Sequence, residues 1–305
     1  MMSCNNRLMG IAPRSARNVL LLAIVSVSIS ACGGGGGDGD VRTVDLSGAD
    51  APASLFLPDD AAKILSTNLE GLFATSIMYN KALDTVSTEP GTSNCLTSGT
   101  QKFEYSASGG ADIYTFTFNQ CLDETWFYDG LLKVEESSSG EVFNGSRTYG
   151  TSSSNGTILT EDRGSAQRRD VIMGTYSATD LPGNTTQRDL NLRGRVEKLS
   201  GTPSQSYQLD QYKIVTKNTD QQVRSINYSG MLTLKGTCTT GKSTISTPSD
   251  LQTDGSGGFT GGQMVISSGN NSATITFNSN KSITIAAPGG SKTYTDAQIR
   301  SICGV

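Results

Sequence analysis

The sequence predicts a mainly β protein, and three patterns carry that prediction. Apolar and polar residues alternate with a period of two along most of the chain after Gln101, as in strands with one buried face. Helical signals occur at only two places, near residues 58–84 and 295–302. A small or polar residue followed by glycine recurs between the alternating stretches, at Asp129-Gly130, Asn144-Gly145, Asn155-Gly156, Arg193-Gly194, Ser229-Gly230 and Gly261-Gly262. We expect a large twisted antiparallel sheet or meander, in half-barrel or sandwich form, with one N-terminal helix and a short C-terminal helix.

The N-terminal region has the pattern of an export signal. Arg7, Arg14 and Arg17 precede an apolar run at residues 19–29 that is too short to cross a bilayer as a helix. The run ends in Ile29-Ser30-Ala31-Cys32, an aliphatic residue, two small residues and a cysteine. This motif resembles the lipoprotein signal of bacteria. The resemblance implies cleavage before Cys32, acylation of that cysteine with palmitate-type chains, and attachment to the membrane through lipid.

The same resemblance locates the protein and divides the chain. A residue other than Asp after the acylated cysteine, here Gly33, implies the outer membrane of the cell envelope; the sequence does not indicate which face. Residues 1–31 are then the signal peptide, and residues 32–58 are a glycine-rich flexible tether. Residues 59–305 form a single β-rich domain, and residues 200–203, near 201, offer an alternative boundary between two smaller units.

The N-terminal helix is predicted to begin at Pro58-Asp59-Asp60 and to extend to about Asp84. An aspartate at this end can accept hydrogen bonds from free backbone amides and complements the helix dipole. We interpret the apolar stripe of this helix as its core-facing side; the alternative is that it lines a groove for an apolar ligand. The stripe consists of Leu65, Leu69, Leu72 and Ile77.

The first hairpin has a predictable register. If Gly109-Gly110 is a two-residue turn, Phe103 faces Phe116 and Tyr105 faces Tyr114. These aromatic rings would share one face of the sheet.

The last part of the chain predicts a second hairpin and a helix. Ile275 and Phe277 are expected opposite Ile285 and Ile283 across a turn at residues 278–280, with Met264 and Ile266 on the neighbouring strand. Thr295 and Gln298 have the spacing of a capping box that opens the C-terminal helix.

Four cysteines outside the signal and the lipidation motif predict two structural disulfides. They are Cys95, Cys121, Cys238 and Cys303. Three connectivities are open to them, and no Cys-x-x-Cys motif suggests redox chemistry. The hairpin register puts Cys121 opposite Ser98, three residues from Cys95, which favours Cys95–Cys121 and leaves Cys238–Cys303.

Composition excludes several classes of function. The chain has 24 basic and 28 acidic residues and no histidine. The predicted signal contains three of the basic residues and none of the acidic ones, so 21 basic and 28 acidic residues remain and the formal charge is −7. That charge argues against a nucleic-acid partner. The lack of histidine excludes histidine-based catalysis, and no other nucleophile or cofactor motif is present. We therefore expect no enzymatic activity, no cofactor and no metal site.

One segment could form a ligand platform. Trp126, Tyr128 and Asp129 lie beside the predicted Cys95–Cys121 bridge, and aromatic rings near carboxylates suit the stacking of sugars. Alternation weighs against a platform, because at least one of the neighbouring rings must point into the core, and we favour the interpretation that the rings anchor the core. Adjacent acidic residues elsewhere indicate a solvated surface, because neighbours in a strand point to opposite faces.

Three hypotheses for function follow. The first is a non-enzymatic envelope lipoprotein with a structural role or a binding role toward protein or glycan. The second is a periplasmic carrier that holds an apolar ligand between sheet and helix. The third is a carboxylate-dependent glycan hydrolase.

Overall fold

The computed structural model describes residues 43–70, 81–82, 85, 89–123, 126–139, 142–150, 156–161, 168–198, 204–219, 222–254 and 258–303. Within these residues the chain forms one antiparallel sheet of 15 strands, with helix α1 (Pro58–Glu70) before it and helix α2 (Asp296–Ser301) after it. The mainly β prediction and its two terminal helices are confirmed. All 15 strands belong to one hydrogen-bonded sheet rather than to the two sheets of a sandwich.

The strands follow one another along the chain. They are β1 (Gly91–Asn94), β2 (Ser98–Ser108), β3 (Ala111–Asp123), β4 (Trp126–Ser139), β5 (Val142–Tyr149), β6 (Thr157–Glu161), β7 (Arg168–Leu181), β8 (Thr185–Lys198), β9 (Ser204–Thr219), β10 (Gln222–Gly236), β11 (Gly241–Thr253), β12 (Phe259–Ser268), β13 (Asn271–Phe277), β14 (Ser282–Ala287) and β15 (Gly290–Thr295).

The topology is a continuous meander with one irregularity. Each strand pairs with the next, except that β5 and β6 lie end to end between β4 and β7. Strands β8 and β9 pair from Thr185↔Lys217 to Glu197↔Ser204, on either side of the alternative boundary near 201. The sheet is therefore continuous across that boundary, although residues 199–203 themselves lie outside the described ranges.

Both predicted hairpins have the expected register. Phe103 pairs with Phe116 and Tyr105 with Tyr114. In the second hairpin Ile275 pairs with Ile285 and Phe277 with Ile283, and β12 lies beside it with Met264 opposite Ile275. The two-residue glycine turn fixed the first of these registers, because a one-residue slip would move every aromatic ring to the other face.

The register fails at one point, where the pairing of Cys121 with Ser98 is wrong. Ser98 pairs with Leu122, because β3 has a bulge at Gln120, whose φ is 47°. Gly99 lies opposite this bulge, and a Cβ atom there would be 1.9 Å from the Gln120 carbonyl oxygen. The extra residue shifts the alternation by one position and puts Cys121 on the same face as Phe118.

One hydrophobic core covers what we call the inner face of the sheet; the opposite side is the outer face. The core cluster runs from residues of the first hairpin, such as Phe116, through Leu190 and Leu209 to Ile275, and it includes Ile64 of α1 and Ile299 of α2. A second, smaller cluster is formed by Ile158, Val171 and Met173, with the partly buried Val44 and Phe127 packed against it.

Helix α1 lies in this core with nearly its whole circumference covered. Ile64 and Leu65 are buried, and so are the polar residues Thr67 and Asn68. Buried polar groups need partners. The Thr67 hydroxyl donates to the Lys63 carbonyl oxygen at 3.1 Å, and the Asn68 carbonyl oxygen accepts from the Tyr212 hydroxyl at 2.5 Å. Leu72 and Ile77 of the predicted stripe lie outside the described residues.

The two helix starts are satisfied as the sequence predicts. The Asp60 carboxylate accepts from the amides of Phe56 and Leu57, at 3.1 and 3.0 Å, just before α1. At α2 the Thr295 hydroxyl accepts from the Gln298 amide, and the Gln298 side chain accepts from the Thr295 amide.

The segment at residues 43–57, which we call the strap, contradicts the predicted tether. Ala49, Ala53 and Leu55 are at most 4% exposed, so this part of the chain is docked rather than flexible. The sequence interpretation gave too much weight to the glycine run at 33–37, which lies outside the described residues. It missed the small and apolar residues at the docked positions, because they follow neither helical nor strand spacing.

The strap crosses the outer face and then turns into the core. The Thr43 carbonyl oxygen accepts from Arg195 on β8 at 2.9 Å, and the Lys235 ammonium on β10 lies 2.5 Å from the Asp45 carboxylate. At the start of β11 the Lys242 amide donates to the Ala51 carbonyl oxygen at 2.8 Å, and the Ala53 amide donates to the Lys242 carbonyl oxygen at 3.0 Å. These bonds extend the sheet locally and lead the chain to Leu55 and α1.

Candidate functional site

The lipidation motif cannot be located in the fold. Cys32 and the signal region before it lie outside the described residues. Among the residues that are described, no helix is long and apolar enough to cross a membrane.

The two predicted disulfides are confirmed. Cys95 bonds to Cys121 with their Cα atoms 5.5 Å apart, and Cys238 bonds to Cys303 with a Cα separation of 5.1 Å. The first closes the base of the β2–β3 hairpin, and the second holds the end of α2 to the loop after β10. Both bridges are consistent with a role in stability.

The first bridge lies beside a carboxylate without forming a metal site. Cys95, Cys121 and Asp123 bring their ligand atoms within 4.8 Å of one another. Both sulfur atoms are in the disulfide, however, and metal ions bind the thiolate form of cysteine. The Asp123 carboxylate instead pairs with the Lys81 ammonium and accepts from the Leu96 amide at 2.6 Å.

The candidate platform residues are dispersed by the strand. Trp126 and Tyr128 point to the inner face, where Trp126 is half-buried against the main core and Tyr128 is 5% exposed. The Tyr128 ring packs 5.4 Å from the Phe118 ring, centroid to centroid. Asp129 accepts from the Gln120 amide at 3.3 Å and so supports the bulge. This arrangement favours the core interpretation over the stacking platform.

The inner face is filled by tyrosine rings in the region beside α1. Tyr149, Tyr207 and Tyr212 are fully buried, and Tyr228 is nearly so. Burial raises the pKa of Tyr149 and Tyr228 to about 12, so these phenols stay neutral. The Tyr212–Asn68 hydrogen bond joins this layer to α1. In the described part of the chain, packed side chains therefore fill the space between the sheet and α1.

The pair of acidic residues in the first turn of α1 has separate structural partners. Asp59 accepts from the Lys292 ammonium at 2.8 Å and from the Tyr294 hydroxyl at 2.5 Å. The hydrogen bond from Lys292 and then that from Tyr294 lower the pKa of Asp59. Asp60, in contrast, binds the amides before the helix. These two carboxylates do not converge on one cleft as a hydrolase would require.

A groove that sequence reasoning missed lies on the outer face, where the strap crosses strands β9–β12. Its volume is about 370 Å³, within the usual range for ligand pockets. Leu46, Asp50 and Pro52 of the strap form one wall. We call this cavity the strap groove.

Most residues on the floor of the strap groove are of polar type, although the lining surface is about equally polar and apolar. Strand β9 contributes Gln208 and Asp210, β10 contributes Met231 and Thr233, and β11 contributes Lys242, among other lining residues. Met231 is 44% exposed and is the large apolar side chain of the floor. Hydroxyl, amide and carboxylate groups therefore surround one apolar surface.

The charges of the groove do not balance. The Lys242 ammonium lies 2.6 Å from the Asp50 carboxylate and lowers the pKa of Asp50, mainly through their hydrogen bond. Asp210 has no ion-pair partner in the described part of the chain. Since Asp50 and Lys242 offset each other, Asp210 leaves the groove with a negative charge.

A bulge in β9 directly follows Asp210, which lies at the groove. Tyr207 and Leu209 point to the inner face at odd-numbered positions, whereas Tyr212 does so at an even-numbered one. The alternation shifts because Gln211, with a φ of 48°, is an extra residue in the strand. The break in the alternation of apolar residues between Leu209 and Tyr212 is visible in the sequence and could have located this bulge.

Comparison with known proteins adds no relative: no family model, no curated protein and no solved structure matches the chain.

Proposed function

We propose that this protein is a non-enzymatic, lipid-anchored lipoprotein of the bacterial cell envelope, attached through Cys32, with a binding role served by the strap groove. The observation that carries the proposal is the strap itself. The chain that follows the lipoprotein-like motif forms one wall of the strap groove on the outer face. Anchor and groove are thus adjacent parts of one continuous segment.

The spacing of the anchor supports a domain held close to a membrane surface. Ten residues lie between Cys32 and Thr43, the first described residue of the strap, so eleven residue steps join the two. An extended chain of that length reaches at most roughly 40 Å. Gly33, the residue after Cys32, favours the outer membrane, because the motif resembles lipoprotein signals in which a residue other than Asp follows the cysteine.

The binding role rests on exposed polar groups rather than on catalytic chemistry. The chain has no histidine, and the described acidic residues Asp59 and Asp60 serve structural contacts. A carrier of apolar ligands is supported less well, because tyrosine rings and α1 pack together on the inner face. A protein or a glycan is the class of partner that a polar outer surface fits.

The anchor is tested by metabolic labelling with a palmitate analogue in bacteria that express the full chain. Cys32→Ala should lose the label and leave the membrane fraction. Cys4→Ala is the matched control, since that cysteine lies in the predicted signal peptide, and it should keep both. Labelling that survives Cys32→Ala would overturn the lipoprotein assignment.

Protease treatment of intact and permeabilised cells then gives the face of the membrane. Digestion of intact cells would place the strap groove on the cell surface, in contact with external partners. Protection until permeabilisation would place it in the periplasm.

A further inference from the structure

We infer that the strap groove binds a saccharide of about one to two sugar rings. This inference deepens the binding role proposed above by naming its ligand class. The groove volume of about 370 Å³ lies at the low end of the range for ligand pockets. A long polymer would extend beyond it, whereas a short glycan segment would fill it.

The hydrogen-bonding groups of the groove suit hydroxyl-rich ligands. A sugar hydroxyl both donates and accepts. The Asp210 carboxylate can accept from two adjacent hydroxyls, the Gln208 amide can donate and accept, and Thr233 and Thr244 add hydroxyl groups. Met231, 44% exposed, offers a polarisable surface to the C–H face of a sugar ring.

The same groups disfavour other small ligands. An anion would meet two carboxylates, Asp50 and Asp210, and only one lysine, Lys242, which already contacts Asp50 at 2.6 Å. An acyl chain needs a predominantly apolar lining, and here only about half of the lining is apolar and two carboxylates and a lysine border it.

An extended peptide is disfavoured by the sheet itself. Peptides that add to a sheet require an unpaired strand edge. Strands β9, β10, β11 and β12 each pair with a neighbour on both sides. The backbone groups of the groove floor are therefore already committed to the sheet, and side chains must carry recognition.

The strap makes the site conditional on its own docking. Asp50 and Pro52 reach the groove only while the strap is held at the start of β11. A second support is the Ser268 hydroxyl, which lies 2.8 Å from the Ala53 carbonyl oxygen and 2.7 Å from the Lys242 carbonyl oxygen. The wall of the groove and the N-terminal docking are therefore one structural unit.

The test uses the full chain, purified in detergent from the cells that produce it. A glycan array that covers bacterial and host saccharides identifies a binder, and calorimetric titration with the free saccharide measures its Kd. We expect Asp210→Asn to weaken binding about 10-fold or more, because it removes hydrogen bonds to a charged acceptor. Thr244→Val, at an exposed position, should weaken it about 3-fold.

The matched control is Asp189→Asn. Asp189 is a carboxylate on neighbouring β8, 3.8 Å from Lys213, and it does not line the groove, so its replacement should leave the Kd unchanged. Equal weakening by both aspartate variants would overturn the assignment, because it would indicate a general charge effect.

Two further results would also overturn it. One is the absence of any saccharide binding on the array. The other is Asp210-dependent binding of spermidine without saccharide binding, which would make the groove an amine site. The titration is carried out in detergent, so a negative labelling result for Cys32 would refute the anchor and leave the test of the groove intact.

Discussion

Replacement of Leu55 by alanine tests whether the strap is a structural part of the domain. Leu55 is 1% exposed and belongs to the main core, whereas its neighbour Phe56 is 56% exposed. Removal of a buried leucine side chain loses its transfer free energy and leaves a cavity, which together cost about 2–5 kcal/mol. We take about 3 kcal/mol as the expected destabilisation for Leu55→Ala and less than about 0.5 kcal/mol for Phe56→Ala.

The assay is urea unfolding followed by circular dichroism in the β region, with the disulfides intact. With a slope of about 3 kcal/mol per molar urea for a domain of this size, Leu55→Ala should lower the midpoint by about 1 M. Phe56→Ala is the control for any effect of mutating the strap. Equal midpoints for Leu55→Ala, Phe56→Ala and the native chain would refute the docked strap and restore the flexible tether predicted from sequence.

Further variants test three other features of the fold: a close-packed glycine, an ion pair and the two disulfides. Gly230→Ala should destabilise the protein by at least about 2 kcal/mol, since its φ is 142° and a Cβ would lie 2.5 Å from a backbone atom of β9. Gly261→Ala, where the added Cβ would be 3.6 Å from its nearest neighbour, should be almost neutral, and urea unfolding of the two variants measures the difference. Asp59→Asn should make the free energy of unfolding depend less on pH in acid. The pKa of Asp59 is lowered in the folded state, so the stabilisation by its ionised carboxylate is complete above the ordinary pKa of 3.8. That stabilisation is lost as the pH falls through the folded-state pKa. An unchanged slope of the unfolding midpoint between pH 5 and pH 2.5 would count against that ion pair. Replacing both cysteines of the Cys238–Cys303 disulfide by serine should lower the free energy of unfolding by about 4.3 kcal/mol in the chain-entropy model, since the bridge closes a loop with a sequence separation of 65. The same change in Cys95–Cys121, whose sequence separation is 26, should cost about 3.5 kcal/mol. A larger loss for Cys95–Cys121 than for Cys238–Cys303 would show that loop length does not control the stabilisation.

The parts of the fold that were predictable from sequence are those set by local geometry. A two-residue glycine turn and alternating aromatic residues determine the register of the first hairpin from Phe103 to Phe116. The capping box at Thr295 and Gln298 needs only four residues of sequence, and it forms as expected. Each of these signals is contained in a short segment, so no knowledge of the tertiary structure was required.

The parts that were missed depend on contacts between distant segments. Ala49 and Leu55 are buried because the sheet covers them, and their own sequence has no periodicity that would show it. The choice between platform and core was left open for a related reason: an aromatic residue such as Tyr128 looks the same in sequence whether its ring faces solvent or core. Asp210 was overlooked because its neighbours on the strap lie some 160 residues away along the chain, although the bulge beside it left a visible break in the alternation.

The strap connects the stability of the domain to the proposed binding of saccharides. A ligand that contacts Asp50 binds only the docked form, so any mutation that undocks the strap raises the apparent Kd by the inverse of the docked fraction. Leu55→Ala weakens docking from the core side without touching the groove. If the variant opens locally, saccharide affinity should fall, and saturating saccharide should restore part of the lost stability, about 2.7 kcal/mol at 100 times the Kd. If the variant only destabilises the whole domain, the Kd at low temperature should equal that of the native chain. A fall in affinity for Leu55→Ala that is absent in Phe56→Ala would therefore show that the groove and the docking of the strap are energetically coupled.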